Sequence, residues 1–114
     1  MDNEKNDKFY LEKVVSDLNF IIEKTKNKTQ FELEENEILV DSIMFRLIQM
    51  AENIEKLSIE FKMKHNYFPW KAIKGMRNKI VHNYGVVDMW IVYNTITNDL
   101  PNFYNQLTKI LVSI

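Results

Sequence analysis

The sequence predicts an all-α fold, an antiparallel bundle of four to five helices, and three observations predict it. Gly and Pro number only two each, which leaves almost no material for hairpin turns. Leu, Ile, Lys, Glu and Met are abundant. Apolar residues also recur at alternating three- and four-residue spacing along most of the chain, the pattern that lays one stripe on a helix.

The first helix is expected from about Asp7 to Lys26, where Tyr10, Val14, Leu18 and Ile21 or Ile22 form the stripe. Asn27-Lys28-Thr29 breaks the pattern, and Thr29 can cap a short Glu-rich turn containing Phe31 and Leu33. A single long helix is expected over Glu37 to Lys64. Its seam of Ile43, Leu47, Met50, Ile54, Leu57 and Phe61 should pair antiparallel with helix one, while Val40, Met44, Ile48 and Ala51 widen the apolar face for core or dimer contact. Pro69 ends that helix and suits the first turn of the next, which begins near Trp70, buries Ile73, Met76 and Ile80, and has Gly85 placed as its C-terminal cap. Asp88 caps the last helical region, which Pro101 kinks or restarts.

At 114 residues the chain reads as one domain, 1–114, able to bury a core yet small enough to benefit from burying surface on a partner. No apolar run approaches the roughly 20 residues of a membrane span, and the polar stretch Met1 to Lys8 has no signal core behind it, so a soluble, cytoplasmic protein is expected. With no Cys and only His65 and His82, no cofactor is expected and metal-dependent chemistry is disfavoured, although carboxylates can bind Mg²⁺. The net charge of −1 argues against a general nucleic-acid binder. Its distribution is uneven: Lys56, Lys62, Lys64, Lys71, Lys74, Arg77 and Lys79 face only Glu60 between Lys56 and His82. Such a run is ordinarily a solvated face, but beside the motif described next it can attract phosphate.

The chemistry-bearing stretch is Arg77-Asn78-Lys79-Ile80-Val81-His82-Asn83-Tyr84. Arg77 offers a permanent fork-shaped cation, His82 a proton carrier and Tyr84 a modifiable hydroxyl. At about 100° per residue, Asn78 and His82 share a helix face, so Asn78 can orient the imidazole, whereas Arg77 lies roughly 140° around the axis from His82. One ideal helix does not aim both at one phosphate; the helix must loosen near His82, or two copies must meet across a two-fold axis.

With Pro69-Trp70 before it, Gly75-Met76 leading in and Gly85-Val86-Val87-Asp88 following, this stretch resembles the signature of HepT-like toxins of the HEPN superfamily: Arg, four residues, His, one residue, Tyr. Asp41 and Glu52 on the long helix and the late Asp99-Leu100-Pro101 run fall in that family's order, so the resemblance covers essentially the whole chain. It implies a HEPN-type bundle and a homodimeric, metal-independent endoribonuclease toxin. It further implies an MntA-like nucleotidyltransferase antitoxin that transfers AMP to Tyr84. His82 would move the proton in attack by an RNA 2′-hydroxyl and Arg77 would stabilise the phosphorane; Asn78 is the catalytic orienter, and Glu52 and Lys79 are candidates for supporting roles, Glu52 by holding Arg77 or lining the cleft. Phe45-Arg46 stands where the family more often has Arg-Asn, leaving Arg46 to act from the neighbouring position.

The competing readings are a non-catalytic HEPN module that binds nucleotide or docks a nucleotidyltransferase, and a structural helical subunit. Glu52 reads equally as a solvated glutamate, His65 as a helix-end residue, Asp88 as a cap, and Trp70 and Trp90 as core or interface aromatics rather than base-stacking platforms.

Overall fold

The computed structural model describes residues 3–81 and 88–114. His82, Tyr84 and Gly85 lie outside the described residues, so the proton carrier, the modifiable hydroxyl and the expected cap are known here from sequence alone.

The described residues fold as helices, with no strand among them. Helix α1 spans Asn3–Thr25 and buries Leu11, Val14, Leu18 and Ile21, close to the predicted stripe. Thr29 caps the short α2, Gln30–Glu34, through a reciprocal capping box: Thr29 Oγ1 accepts from the Glu32 backbone at 3.1 Å, and the Thr29 backbone donates to Glu32 at 3.0 Å. That backbone hydrogen bond, with the side-chain one, holds the Glu32 carboxyl below its ordinary range.

The long helix predicted over 37–64 is two helices. Helix α3 covers Glu37–Glu55 and α4 covers Ile59–Lys64. All six seam residues from Ile43 to Phe61 are buried, so the apolar period is real and continues across the break. What divides it is polar. Ser58 accepts from the Phe61 backbone as the α4 cap, while Asp7 of α1 accepts from the Ser58 backbone at 2.7 Å and from its hydroxyl at 2.6 Å.

Those bonds also fix direction. Asp7 meets Ser58, and Asp17 meets Arg46 at 2.8 Å, so α1 and α3 run antiparallel. An elbow follows α4. The Trp70 indole donates to the carbonyls of Lys62 and His65, and Phe68 packs on Trp70 with ring centroids 4.5 Å apart. Helix α5, Trp70–Val81, then returns along α3 and buries Ile73 and Ile80.

Asp88 caps α6, Met89–Asn94, by accepting from the Trp90 and Ile91 backbones, as predicted. A π-helical turn, 95–99, joins α6 to α7, Leu100–Val112. Pro101 has no backbone N–H to donate four residues back, and the wider turn immediately before it accommodates that loss. Tyr93 donates to the Lys28 carbonyl at 2.8 Å, whereas Phe103 packs on Phe68 at 5.4 Å; the α6–α7 segment therefore runs antiparallel to α1, from its far end back to the elbow. Helix α7 buries Leu100, Phe103, Leu107 and Ile110 against α1.

Candidate functional site

Helix α5 carries the first part of the motif. Its sequence, from Trp70 to Val81, holds Lys71, Lys74, Arg77 and Lys79 with no acidic residue, so the charge it presents is basic. Ile73 and Ile80 are seven apart and anchor it to the core, which turns position 77 toward α3 and positions 71, 75, 78 and 79 toward solvent.

Arg77 is the least exposed of these cations, its side chain 23% accessible. Its Nη2 lies 3.8 Å from Glu55 Oε1, beyond hydrogen-bond reach, while Lys74 Nζ approaches the same oxygen at 3.2 Å. Arg77 Nε is buried and without a hydrogen-bond partner among the described residues. A guanidinium has five donors in a planar fork, so Arg77 is placed by packing and by a shared carboxylate while most of its donors remain for an anion.

The carboxylate beside Arg77 is Glu55. Glu52, expected either to hold Arg77 or to line a cleft, is exposed and makes no ion pair with another described residue. It lies three residues earlier on α3, adjacent to Glu55 around the helix, and the docking of α5 decides which of the two is met. Asn78 is exposed on α5 about 100° around from Arg77, on the line that leads to position 82. Lys79 is also exposed, on the opposite side from Glu55. The structure thus brings Arg77, Lys74 and Glu55 together and leaves Asn78 and Lys79 facing outward.

Arg46 does not act here. It bonds Asp17 and stacks over the Phe20 ring, 4.1 Å from the centroid, which ties α3 to α1. His65 is a helix-end residue, as expected, but a buried one, 8% exposed at the elbow. Its Nδ1 lies 3.3 Å from the Tyr67 hydroxyl, and its Nε2 is buried without a hydrogen-bond partner among the described residues. Burial, and secondarily the neighbouring Lys64 charge, hold its pKa below the ordinary value.

Residues 15–110 match the sequence pattern of the family described as Ribonuclease HepT-like. The chain belongs to the HepT-like ribonuclease family. Among its relatives is a protein of Caldanaerobacter subterraneus subsp. tengcongensis named as a candidate RNase, 32% identical over 102 residues, which cover 90% of this chain and 91% of that one. A Methanocaldococcus jannaschii protein named as a gamma-glutamylcyclotransferase and candidate RNase is 30% identical over 107 residues; the match takes in 94% of this chain but spans only 48% of the relative. A Thermococcus cleftensis protein named as a candidate ribonuclease HepT is 28% identical over 93% of this chain and 96% of its own length. No solved structure matches the chain. Membership of the HepT-like family agrees with the all-helical bundle. Among the described residues, no helix is long and apolar enough to cross a membrane.

Proposed function

We propose that this HepT-like protein is the toxin of a toxin–antitoxin pair, an endoribonuclease that cuts RNA without a metal. The observation that carries the reading is Arg77: a guanidinium, its side chain partly exposed, on a helix with four basic and no acidic residues, its Nη2 3.8 Å from the carboxylate of Glu55 and so beyond hydrogen-bond distance. Such a group has donors ready for the two non-bridging oxygens of a phosphodiester, and it gains most when those oxygens acquire the extra charge of a pentavalent phosphorane.

His82, four residues beyond Asn78, takes the proton of an RNA 2′-hydroxyl as that oxygen attacks the adjacent phosphorus, or gives a proton to the departing 5′-oxygen. The P–O5′ bond breaks, leaving a 2′,3′-cyclic phosphate and a 5′-hydroxyl. Asn78 orients the imidazole from the preceding turn, and the cations of α5 hold the strand. A homodimer lets Arg77 of one copy and His82 of the other address one phosphate. Two exposed apolar side chains seven apart on α3, Ile38 and Phe45, support a second copy on that face.

Tyr84 is the regulatory position. A nucleotidyltransferase antitoxin transfers AMP to its hydroxyl, and the added phosphodiester charge and base block the cations from RNA. The test has two arms. In the first, purified wild-type protein cleaves single-stranded RNA in the presence of EDTA, and His82→Ala abolishes cleavage while elution volume is unchanged; a chain with no activity to lose is a docking module instead. In the second, co-expression with a nucleotidyltransferase encoded beside this protein, where there is one, adds one or more AMP units to the intact mass of wild type and none to Tyr84→Phe. Complex formation without that gain removes the modification from the proposal.

A further inference from the structure

Trp90, expected in the core or at an interface, lies outside the core of the chain, its side chain 63% exposed. The contrast with Trp70 is instructive. Trp70 spends its indole N–H on two carbonyls of the elbow and is half-buried, whereas Trp90 stands at the rim of a groove between α5 and the π-helical turn.

That groove has a volume of about 350 Å³ and is lined by Gly75, Lys79, Trp90, Asn94, Thr95 and Asp99, among others. The size falls within the roughly 300–1,000 Å³ of small-ligand sites. Its α5 wall is low because position 75 has no side chain; a Cβ built there would meet nothing within 4 Å. The opposite wall comes from α6, through Trp90, Ile91 and Asn94, and from the π-helical turn, a local widening that recurs at functional positions.

The wall chemistry is specific. Asn98 Nδ2 donates to Asn94 Oδ1 at 2.6 Å, which occupies the Asn94 oxygen and leaves its amide N–H groups to donate. Asp99 supplies an acceptor-only carboxylate. An amide and a carboxylate that line the same groove as an exposed indole and a lysine suit the edge, the π-face and the phosphate of a nucleotide. Lys79 lies two residues after Arg77 on α5, so the groove borders the helix that carries the proposed phosphate clamp, on its other side from Glu55.

We infer that this groove is a nucleobase subsite: a base next to the scissile phosphate stacks on Trp90, Lys79 holds the adjoining phosphate, and Asp99 accepts from an exocyclic amino group. The inference rests on the ribonuclease reading and adds a preference to it. Cytosine, which has an amino group, is favoured over uracil, which has none and is of equal size.

The experiment uses the wild-type chain with cytosine and uracil hexaribonucleotides bearing 2′-O-methyl groups, which cannot be cut by 2′-hydroxyl attack. Binding is followed by the anisotropy of a 5′-fluorescein label on the hexamer and, in wild type, also by tryptophan fluorescence; oligomeric state is followed by size exclusion, and cleavage separately on unmodified RNA. The C hexamer is expected to quench fluorescence and bind more tightly than the U hexamer. Trp90→Ala should weaken binding of the C hexamer about ten-fold, Trp90→Phe should restore most of the loss, and Asp99→Asn should erase the C-over-U difference. Equal binding of the two hexamers, or Trp90→Ala within two-fold of wild type, overturns the inference while cleavage by wild type leaves the ribonuclease reading standing. A shift of Trp90→Ala to a smaller species also overturns it, because the ring would then belong to a subunit interface. Neither binding nor cleavage by wild type removes both.

Discussion

The two arginines of this protein sit in opposite circumstances. Arg46, on the seam between α1 and α3, is hydrogen-bonded across helices: its Nη1 lies 2.8 Å from Asp17, with its guanidinium over Phe20. Arg77, on α5, shares a carboxylate 3.8 Å away with a nearer lysine, and its buried Nε has no partner among the described residues. A satisfied cation holds helices together, while an under-paired one in a fixed place is available to a ligand. The contrast extends to the elements around them. The seam pairs its polar groups across helices, at Asp17–Arg46 and at Asp7–Ser58, whereas α5 presents cations outward with no acidic residue of its own.

The largest effect should come from Arg77→Ala, which is expected to cut RNA cleavage by about 10²- to 10³-fold and leave the urea midpoint nearly unmoved. If stability falls and cleavage does not, the contrast is reversed and Arg77 is structural. Asp7→Ala attacks the seam instead. Asp7 is buried and accepts two hydrogen bonds from half-buried Ser58, so chemical denaturation should show a loss of about 2 kcal/mol. Arg46→Met should cost less, about 1 kcal/mol, because its side chain is one-third exposed and the methionine stem still covers Phe20. Normal cleavage by that variant would separate the two arginines most directly.

His65 joins the two regions at the elbow and brings pH into the comparison. Its folded pKa lies below the ordinary value of about 6.5, so the unfolded chain binds its proton more readily. The stability tied to its neutral form is present above about pH 6.5 and is lost as pH falls toward the folded pKa. Urea midpoints measured from pH 8 to 5.5 should therefore drop on the acid side, and His65→Gln should flatten that slope; an unchanged slope would count against the buried imidazole. The smallest effect should be Gly75→Ala. A methyl at that exposed helical position meets nothing, so a gain of about 0.5–1 kcal/mol is expected, visible as a rise in melting temperature of a few degrees.

The helical class, the buried seam, the Thr29 and Asp88 caps and the Pro101 restart were all readable from local pattern, because period and capping act within a few residues. The division of the long helix was not. Ile54, Leu57 and Phe61 keep the apolar rhythm across the break, and the carboxylate that stabilises it, Asp7, is 51 residues from Ser58. The choice of Glu55 over Glu52 beside Arg77 was hidden for a related reason: neighbours on one helix are separated only by how another helix docks. Trp90 shows the limit of composition. A tryptophan is apolar by type, but its exposure follows from standing two residues after the Asp88 cap, in the first turn of α6, where the core is met instead by Val92 and Ile96. For the motif itself, spacing named the residues, and the structure places Arg77, Asn78 and Lys79 on α5.

The Asp7–Ser58 pair has one more consequence, in the timing of motions. The first turns of α1 are a place where helices ordinarily fray, yet here they hold the cap of α4, and α4 leads through the Trp70 elbow into the helix that bears Arg77. Fraying of α1 and opening of the elbow are therefore one event rather than two. In hydrogen exchange, amides near Phe61 and those of the first α1 turns should lose protection together, and a shortened α1 should be felt at the far end of the chain's own cationic helix.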